Sequence, residues 1–396
     1  MNKLFFICNA LDDVTRLERK IVTDSPAASR KVFGLSKAMR EAGVCVLVVS
    51  LGRGRQNGSG RYYRCEVRRV NGVPVIYLPF FHFPVLSEVL TLFSSVPILW
   101  RLHRKKTKQT ILLYNRMLAY FPLLIFAKIL QIDTTLDLED GAIDLNHWSL
   151  SGVRSRILSW LFDSLCSRGA LLACQGLEIA TKLRPTQCCY GVSDIFPTTV
   201  NWDISPLTVL LGGTVSFDTG APLLIEAIRL LRQESPSWAK NISFNITGKG
   251  DCLEQFKVLA TGSGKPEVIV HGRTTDEEYR QMLACTHVGL ALKPNSGALA
   301  GTTFPSKVIE FASHGILVVT TDISDVRKVL ADGVIYLDID NPNLLIEKLR
   351  WIVEHRGAAK ALSLKGVQAV SAVCAPERVG QMLSDFLFKF SDEEGH

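Results

Sequence analysis

Side chains able to act on a phosphate ester or a sugar fall in three short stretches of the chain. The first is residues 304–321, FPSKVIEFASHGILVVTT. Phe304 precedes a proline and is pushed toward extended geometry. Ser306 is placed to cap a short helix whose first turn carries Lys307 and Glu310. Gly315 is placed to end that helix in a left-handed conformation, and Ile316–Val319 then reads as a buried strand. A helix start offers unpaired backbone N–H groups to an anion, and Lys307 adds a full positive charge. Glu310 can accept hydrogen bonds from sugar or ribose hydroxyls. The second stretch is Gly212-Gly213-Thr214, which closes the apolar run Val209–Leu211. Glycines there let backbone N–H groups approach phosphate oxygens, and Gly248 closes the next apolar run in the same way. The third is Glu139-Asp140-Gly141, at the end of the apolar run Thr134–Leu138, with His147 just beyond. Its carboxylates can hydrogen-bond an acceptor hydroxyl or take its proton. Taken singly, Glu310 is a solvated helix charge and Glu139-Asp140 is loop charge. The ordered pattern around them points to chemistry.

These residues need rigid elements to hold them. A chain of 396 residues is too long for one ordinary core, so two domains are expected. Residues 3–8, KLFFIC, read as a strand, Ala27–Glu41 as a helix and Val44–Val49 as a second strand. That βαβ unit predicts a parallel sheet, which binds ligands at the carboxyl ends of its strands. Ser29, Arg30 and Lys31 lead into the first helix from that end. Asn115 and Arg116 follow the strand Ile111–Tyr114. All are candidates to meet an acceptor or a phosphate. A turn at Asn71-Gly72 predicts a hairpin between 64–70 and 73–78. The second half repeats the alternation, and Arg273 follows the strand Val268–Val270 and its closing His271-Gly272. Two Rossmann-like α/β domains facing across a cleft are expected, at 1–200 and 201–375, with a last helix at 376–396.

Composition narrows the function. Apolar residues make up 47 % and charged residues 21 %, a globular balance. The ten cysteines form no C-x-x-C pair and have no histidines at metal spacing, so reduced thiols and a cytoplasmic chain are expected. Leu4–Cys8 is too short for a signal peptide. Residues 1–200 carry 26 Lys/Arg against 15 Asp/Glu, which suits an anionic surface or substrate. The most apolar segment, 79–100, is broken by Pro84, Glu88 and Pro97 and followed by a basic cluster at 101–108. That combination fits binding in the plane of a membrane, on its inner face, better than crossing it. Nucleic acid is disfavoured, because the basic residues lack interleaved aromatics. Asp338-Ile-Asp340 has the acid spacing of metal-dependent transferases but sits before a helix, and it reads as an N-cap cluster, so no metal site is assigned.

Residues 304–321 resemble the donor-binding segment of family 4 glycosyltransferases of the GT-B fold. There a glutamate helix is followed by a small residue, a glycine and an apolar strand. The resemblance follows element order over nearly the whole chain, although its specific motifs lie in the second half. It implies a sugar transferred from a UDP- or GDP-linked donor to a hydroxyl acceptor, with retention, no metal and no further cofactor. The basic, apolar first half further points to a lipid-linked saccharide as acceptor and to polysaccharide assembly as the setting. By that resemblance Gly212, Gly213, Thr214, Gly248, Arg273, Ser306, Lys307 and Glu310 bind the donor, with Glu310 on the ribose and Arg273 near the base. Lys307, Glu139 and Asp140 would take part in catalysis, and Arg30, Lys31, Asn115, Arg116 and His147 would bind the acceptor. The family pattern departs at three places. Thr302 stands where the first glutamate of E-x₇-E is expected, and Thr214 and Thr219 stand where an Arg and a Lys usually hold the diphosphate. Two other readings therefore stay open: a nucleotide-sugar epimerase on the same fold, and a degenerate binder of sugar nucleotides.

Overall fold

The computed structural model describes residues 2–56, 62–81, 83–103, 107–139, 150–196, 200–296 and 300–389. The chain divides into two compact units, Met1–Val192 with Pro376–His396, and Ser193–Ala375.

The first unit is built on eight strands: β1 Lys3–Cys8, β2 Cys45–Ser50, β3 Glu66–Val70, β4 Val73–Tyr77, β5 Gln109–Tyr114, β6 Asp133–Leu138, β7 Ala170–Leu172 and β8 Thr186–Cys188. They lie in the order β8-β7-β6-β5-β1-β2-β4-β3, and every pair is parallel except the β3–β4 hairpin. The hairpin turns on two left-handed residues, Asn71 at φ 48° and Gly72 at φ 79°, as the sequence predicts. The order reverses between β1 and β5, so the crevice beyond their carboxyl ends is where such a sheet takes a ligand.

Helix Pro26–Glu41 connects β1 to β2. It starts with a proline in its first turn and with the Ser25 hydroxyl accepting the Ala28 N–H. Its buried Val32, Leu35 and Met39 share a core with Val379, Leu383 and Leu387 of the last helix, Pro376–Phe388. The two helices meet backbone to backbone: a Cβ on Gly380 would lie 2.3 Å from the Ala38 carbonyl oxygen. Helix Phe121–Ile129 connects β5 to β6 in the opposite direction. Right-handed crossovers therefore place it on the other face of the sheet. There it packs on β6 and between helices Pro84–Leu102 and Leu150–Leu165.

Within the apolar segment, the helix begins at Pro84 and runs to Leu102, with Pro97 inside it. Among the described residues, no helix is long and apolar enough to cross a membrane. The helix Phe121–Ile129 is preceded by a 3₁₀ turn, Leu118–Tyr120, because Pro122 suits a first turn and not a helix interior.

The second unit has six strands: β9 Leu207–Thr214, β10 Ile242–Lys249, β11 Glu267–Gly272, β12 Val288–Ala291, β13 Leu317–Thr321 and β14 Ile335–Leu337. All pair in parallel, in the order β11-β10-β9-β12-β13-β14. The order reverses between β9 and β12, the arrangement that binds dinucleotides at the carboxyl edge. Helix Ala221–Glu234 buries Leu224, Ile228 and Leu231 in the same core as Val209, Leu211 and Phe244 of the sheet.

Two local readings change. β9 and β10 run on through Gly212-Gly213-Thr214 and Thr247-Gly248-Lys249, which pair in register instead of ending the strands. Without side chains at the glycines, the ladder continues into the binding edge. The expected N-cap cluster at Asp338–Asp340 also moves. Asn341 caps helix Pro342–Glu354 by accepting the Asn343 N–H at 2.8 Å, while Asp340 accepts the Asn295 N–H at 3.0 Å.

Candidate active site

In the second unit the site begins with the glycines. Gly213 and Gly248 pair across β9 and β10 with φ of 107° and 132°. A Cβ on Gly248 would fall 1.7 Å from the Gly213 carbonyl oxygen, so no other residue fits the pairing without displacing the backbone. Lys307 lies over this bare edge, its Cε 3.2 Å from where a Gly213 Cβ would stand.

Lys307 opens the helix Lys307–Ser313 and Glu310 faces it one turn on. The two form an ion pair, each side chain about one-fifth exposed. Tyr279, on helix Asp276–Ala284, joins them. Its hydroxyl accepts from the Lys307 Nζ at 2.8 Å and donates to the Glu310 Oε2 at 3.0 Å. The ammonium also sits 4.6 Å from the Tyr279 ring centroid, and the Tyr279 hydroxyl lies 3.2 Å from a Cβ built on Gly212. Three segments distant in sequence thus converge on Gly212-Gly213. The sequence reading missed Tyr279, because its only signal is apposition across the sheet edge.

The Glu310 helix is fixed from behind. Its end is turned by Gly315 at φ 68°, as expected. The Ser313 hydroxyl donates to the Glu310 carbonyl at 2.9 Å, the His314 Nδ1 lies 2.8 Å from the same carbonyl, and the His314 ring stacks on Phe196. Ser306 does not cap the helix as expected. It sits at the N-cap with helical angles and no side-chain cap bond, so only its carbonyl acts, accepting the Glu310 N–H at 3.2 Å.

Thr219 closes the loop after β9: its hydroxyl donates to the Thr214 carbonyl at 2.7 Å and accepts the Ser216 N–H at 3.0 Å. Thr214 is exposed, as is Arg273, which follows Gly272 at the end of β11. Thr302 is buried.

In the first unit a second constellation forms at the carboxyl ends of β5 and β6. Asn115, left-handed at φ 58°, donates its N–H to the Asp137 carbonyl at 2.7 Å and accepts the Glu139 N–H on its side-chain oxygen at 2.8 Å. Glu139 is thereby held at the strand end. The Lys31 Nζ, from the helix after β1, lies 3.2 Å from the Asp137 Oδ1 and pairs with Glu139 as well. Asp137 is fully buried and its Oδ2 has no partner among the described residues. Burial pushes its carboxyl up, and Lys31 works against that rise. The same burial raises the neighbouring Cys189 thiol. Asp137 was also missed, since an aspartate inside an apolar strand gives no motif.

Arg116 is drawn into the framework instead. Its guanidinium donates to Asp163 at 3.2 Å and to the Ala180 carbonyl at 2.7 Å. Desolvation lowers it, and Asp163 opposes that. Arg30 is exposed. Asp140 and His147 lie outside the described residues. Among the described residues, no group of three or more His, Cys, Asp or Glu side chains is placed to hold a metal ion.

Residues 206–355 match the family model described as glycosyl transferases group 1. The chain carries a group 1 glycosyltransferase domain. That domain runs from β9 to the helix after β14 and includes every donor-side residue described above. No curated protein sequence matches the chain. Solved structures match it over its whole length. The Anabaena protein Alr3699/HepE in complex with UDP is 15 % identical, with a TM-score of 0.66 over 98 % of this chain and 100 % of that one. TarM is 10 % identical, with a TM-score of 0.68 over 98 % and 99 %. The sucrose-phosphate synthase of Thermosynechococcus elongatus is 11 % identical, with a TM-score of 0.67 over 98 % and 99 %. At these identities the likeness is one of fold, two Rossmann-like units of the GT-B type. Together with the group 1 domain it makes the protein an enzyme of the glycosyltransferase class, and it does not favour the epimerase reading.

Proposed function

We propose that the protein moves a sugar from a uridine diphosphate donor to a hydroxyl acceptor, in the manner of family 4, with retention at the anomeric carbon and without a metal. The choice of uridine follows the HepE structures, which hold UDP and UDP-glucose. The observation that carries the reading is the Lys307–Tyr279–Glu310 cluster over the bare Gly212-Gly213 edge.

In this reading the diphosphate lies along the backbone amides of Gly212-Gly213, with Gly248 beneath. Lys307, already over Gly213, moves its ammonium from Glu310 to the phosphate oxygens. There it offsets the charge that builds on the leaving diphosphate, which is where a fixed cation lowers the barrier. It thus replaces the Arg and Lys that Thr214 and Thr219 do not supply. Glu310, released from Lys307, accepts the ribose hydroxyls. Arg273, Thr214 and Ser306 line the base and phosphate ends. On the acceptor side Glu139, oriented by Asn115 and Lys31, hydrogen-bonds the incoming hydroxyl, with Arg30, Asp140 and His147 as further acceptor contacts. A lipid-linked saccharide is the acceptor, in cell-surface polysaccharide assembly at the inner face of a membrane.

The test is turnover of a panel of UDP- and GDP-sugars by the purified protein and by Glu310→Ala. Wild type is expected to turn over a UDP-sugar, and the variant to lose about 100-fold or more in kcat/KM with an unchanged circular dichroism spectrum, since a ribose contact made through a charge is worth about 3 kcal/mol. Equal turnover by the two proteins would remove Glu310 from the site.

A further inference from the structure

We propose that the three helices on one face of the first unit form a docking surface for an anionic lipid bilayer. This deepens the proposed reaction by naming the surface that brings a lipid-linked acceptor to the carboxyl edge of the sheet.

The observation is a set of apolar stripes turned to solvent. On helix Pro84–Leu102, Val89, Phe93, Pro97 and Trp100 recur at helical spacing and are all exposed, Phe93 at 75 % and Trp100 at 65 %. On helix Phe121–Ile129 the exposed pair is Ile125 and Ile129, the latter at 72 %. On helix Leu150–Leu165 the stripe is Val153, Ile157 and Trp160, Trp160 at 66 %. These helices pack side by side, and the Trp100 and Phe126 rings, 5.7 Å apart, join the first two. Single exposed apolar residues need no explanation, but a continuous face of them marks an interaction site.

Charge selects the occupant. Arg101, Lys128 and Arg154 are exposed on these same helices. Of the acids, Asp163 is taken up by Arg116, and Glu88 is the only other one in the three helices. Apolar stripes with tryptophans and a basic rim are the chemistry of a surface lying in the headgroup layer of an acidic bilayer. A protein partner of matching apolar shape would not need the basic excess. The placement also serves the reaction. The helices Phe121–Ile129 and Leu150–Leu165 begin beyond the carboxyl ends of β5 and β6, where Asn115 and Glu139 stand.

The test is co-sedimentation of the full chain with phosphatidylcholine vesicles, with and without phosphatidylglycerol. Binding is expected only with the acidic lipid, weakening as salt rises. The triple variant Trp100→Ser, Ile129→Ser, Trp160→Ser should bind at least tenfold more weakly, and Arg101→Glu, Lys128→Glu, Arg154→Glu should lose the preference for acidic lipid. Thermal melts of both variants, expected at the wild-type temperature, show that they fold. Wild type left in the supernatant, or the Ser variant binding as wild type does, overturns the proposal. So does a wild-type dimer that the Ser variant converts to monomer without any vesicle binding, which would make the face a self-association surface. Turnover of a UDP-sugar on a water-soluble acceptor separates the two readings. Normal turnover without vesicle binding overturns the docking surface alone, and vesicle binding without turnover overturns the transfer reading alone.

Discussion

At the scale of single residues, the donor side depends on an arrangement that no motif announces. Lys307 and Glu310 are visible in the sequence as a cation and an acid one helical turn apart. Left to themselves they would make an ordinary i,i+3 pair, worth a few tenths of a kcal/mol. The Tyr279 hydroxyl changes this, since it touches both partners and holds them against Gly212-Gly213. Tyr279→Phe keeps the ring and its contact with the ammonium but removes the shared hydroxyl. The expected outcome is a loss of about tenfold in kcat/KM, equivalent to about 1.4 kcal/mol or one hydrogen bond, with the melting temperature little changed. Full activity in that variant would make Tyr279 packing alone. On the acceptor side, Lys31, Asn115 and Glu139 were legible as polar residues at strand ends, because the βαβ pattern says which end binds. Asp137, which anchors Lys31, was not: its neighbours Leu136 and Leu138 make it look like strand interior, and only the fold brings the Pro26–Glu41 helix over it.

At the scale of elements, the sequence read well where hydrophobic periodicity was long and less well where a turn depended on a few polar atoms. A helix does follow Asp340, at Pro342–Glu354, but its cap is Asn341 and not the aspartates before it. β9 and β10 outrun their apolar residues because glycine pairing extends them. The start of β9 has its own device, also silent in the sequence. The Thr208 N–H donates to the Nδ1 of buried His287 at 3.0 Å, and the Nε2 of that ring donates to the Asn201 carbonyl at 3.0 Å. The ring must therefore be neutral, and protonating Nδ1 would turn an acceptor toward a donor. Burial, chiefly, holds His287 below its ordinary value of 6.5; the Asn201 carbonyl opposes the shift and Arg356 adds to it. A group whose folded value is depressed is protonated more readily in the unfolded chain, so its contribution to stability is whole above pH 6.5 and lost as pH falls below it. The melting temperature of the second unit is expected to decline from about pH 6.5 downward, and the slope to be shallower in His287→Gln. His271, lowered in the same direction by burial, adds to the decline. An identical pH profile in the variant would show that His287 is protonated without cost.

At the scale of the whole molecule, two separate cores set how the protein comes apart. One core joins β9–β14 to the helices within Ser193–Ala375, all from one continuous stretch of chain. The other needs both chain ends, because Val379, Leu383, Phe386 and Leu387 of the last helix complete the packing of Pro26–Glu41 against the first sheet. Removing residues 376–396 would expose that helix face and leave a cavity-like loss of several large side chains, each worth about 2–5 kcal/mol in a packed core. The sum exceeds what a domain of ordinary stability holds in reserve. Calorimetry of the full chain is expected to show two transitions. The truncated chain should keep one, with the first unit already unfolded at room temperature. UDP, by the transfer reading, should raise the surviving transition, adding about 2.7 kcal/mol at a hundredfold excess over its dissociation constant. Two transitions in the truncated chain would show that the first unit folds without its last helix, and a UDP shift absent from the surviving transition would place the nucleotide site elsewhere.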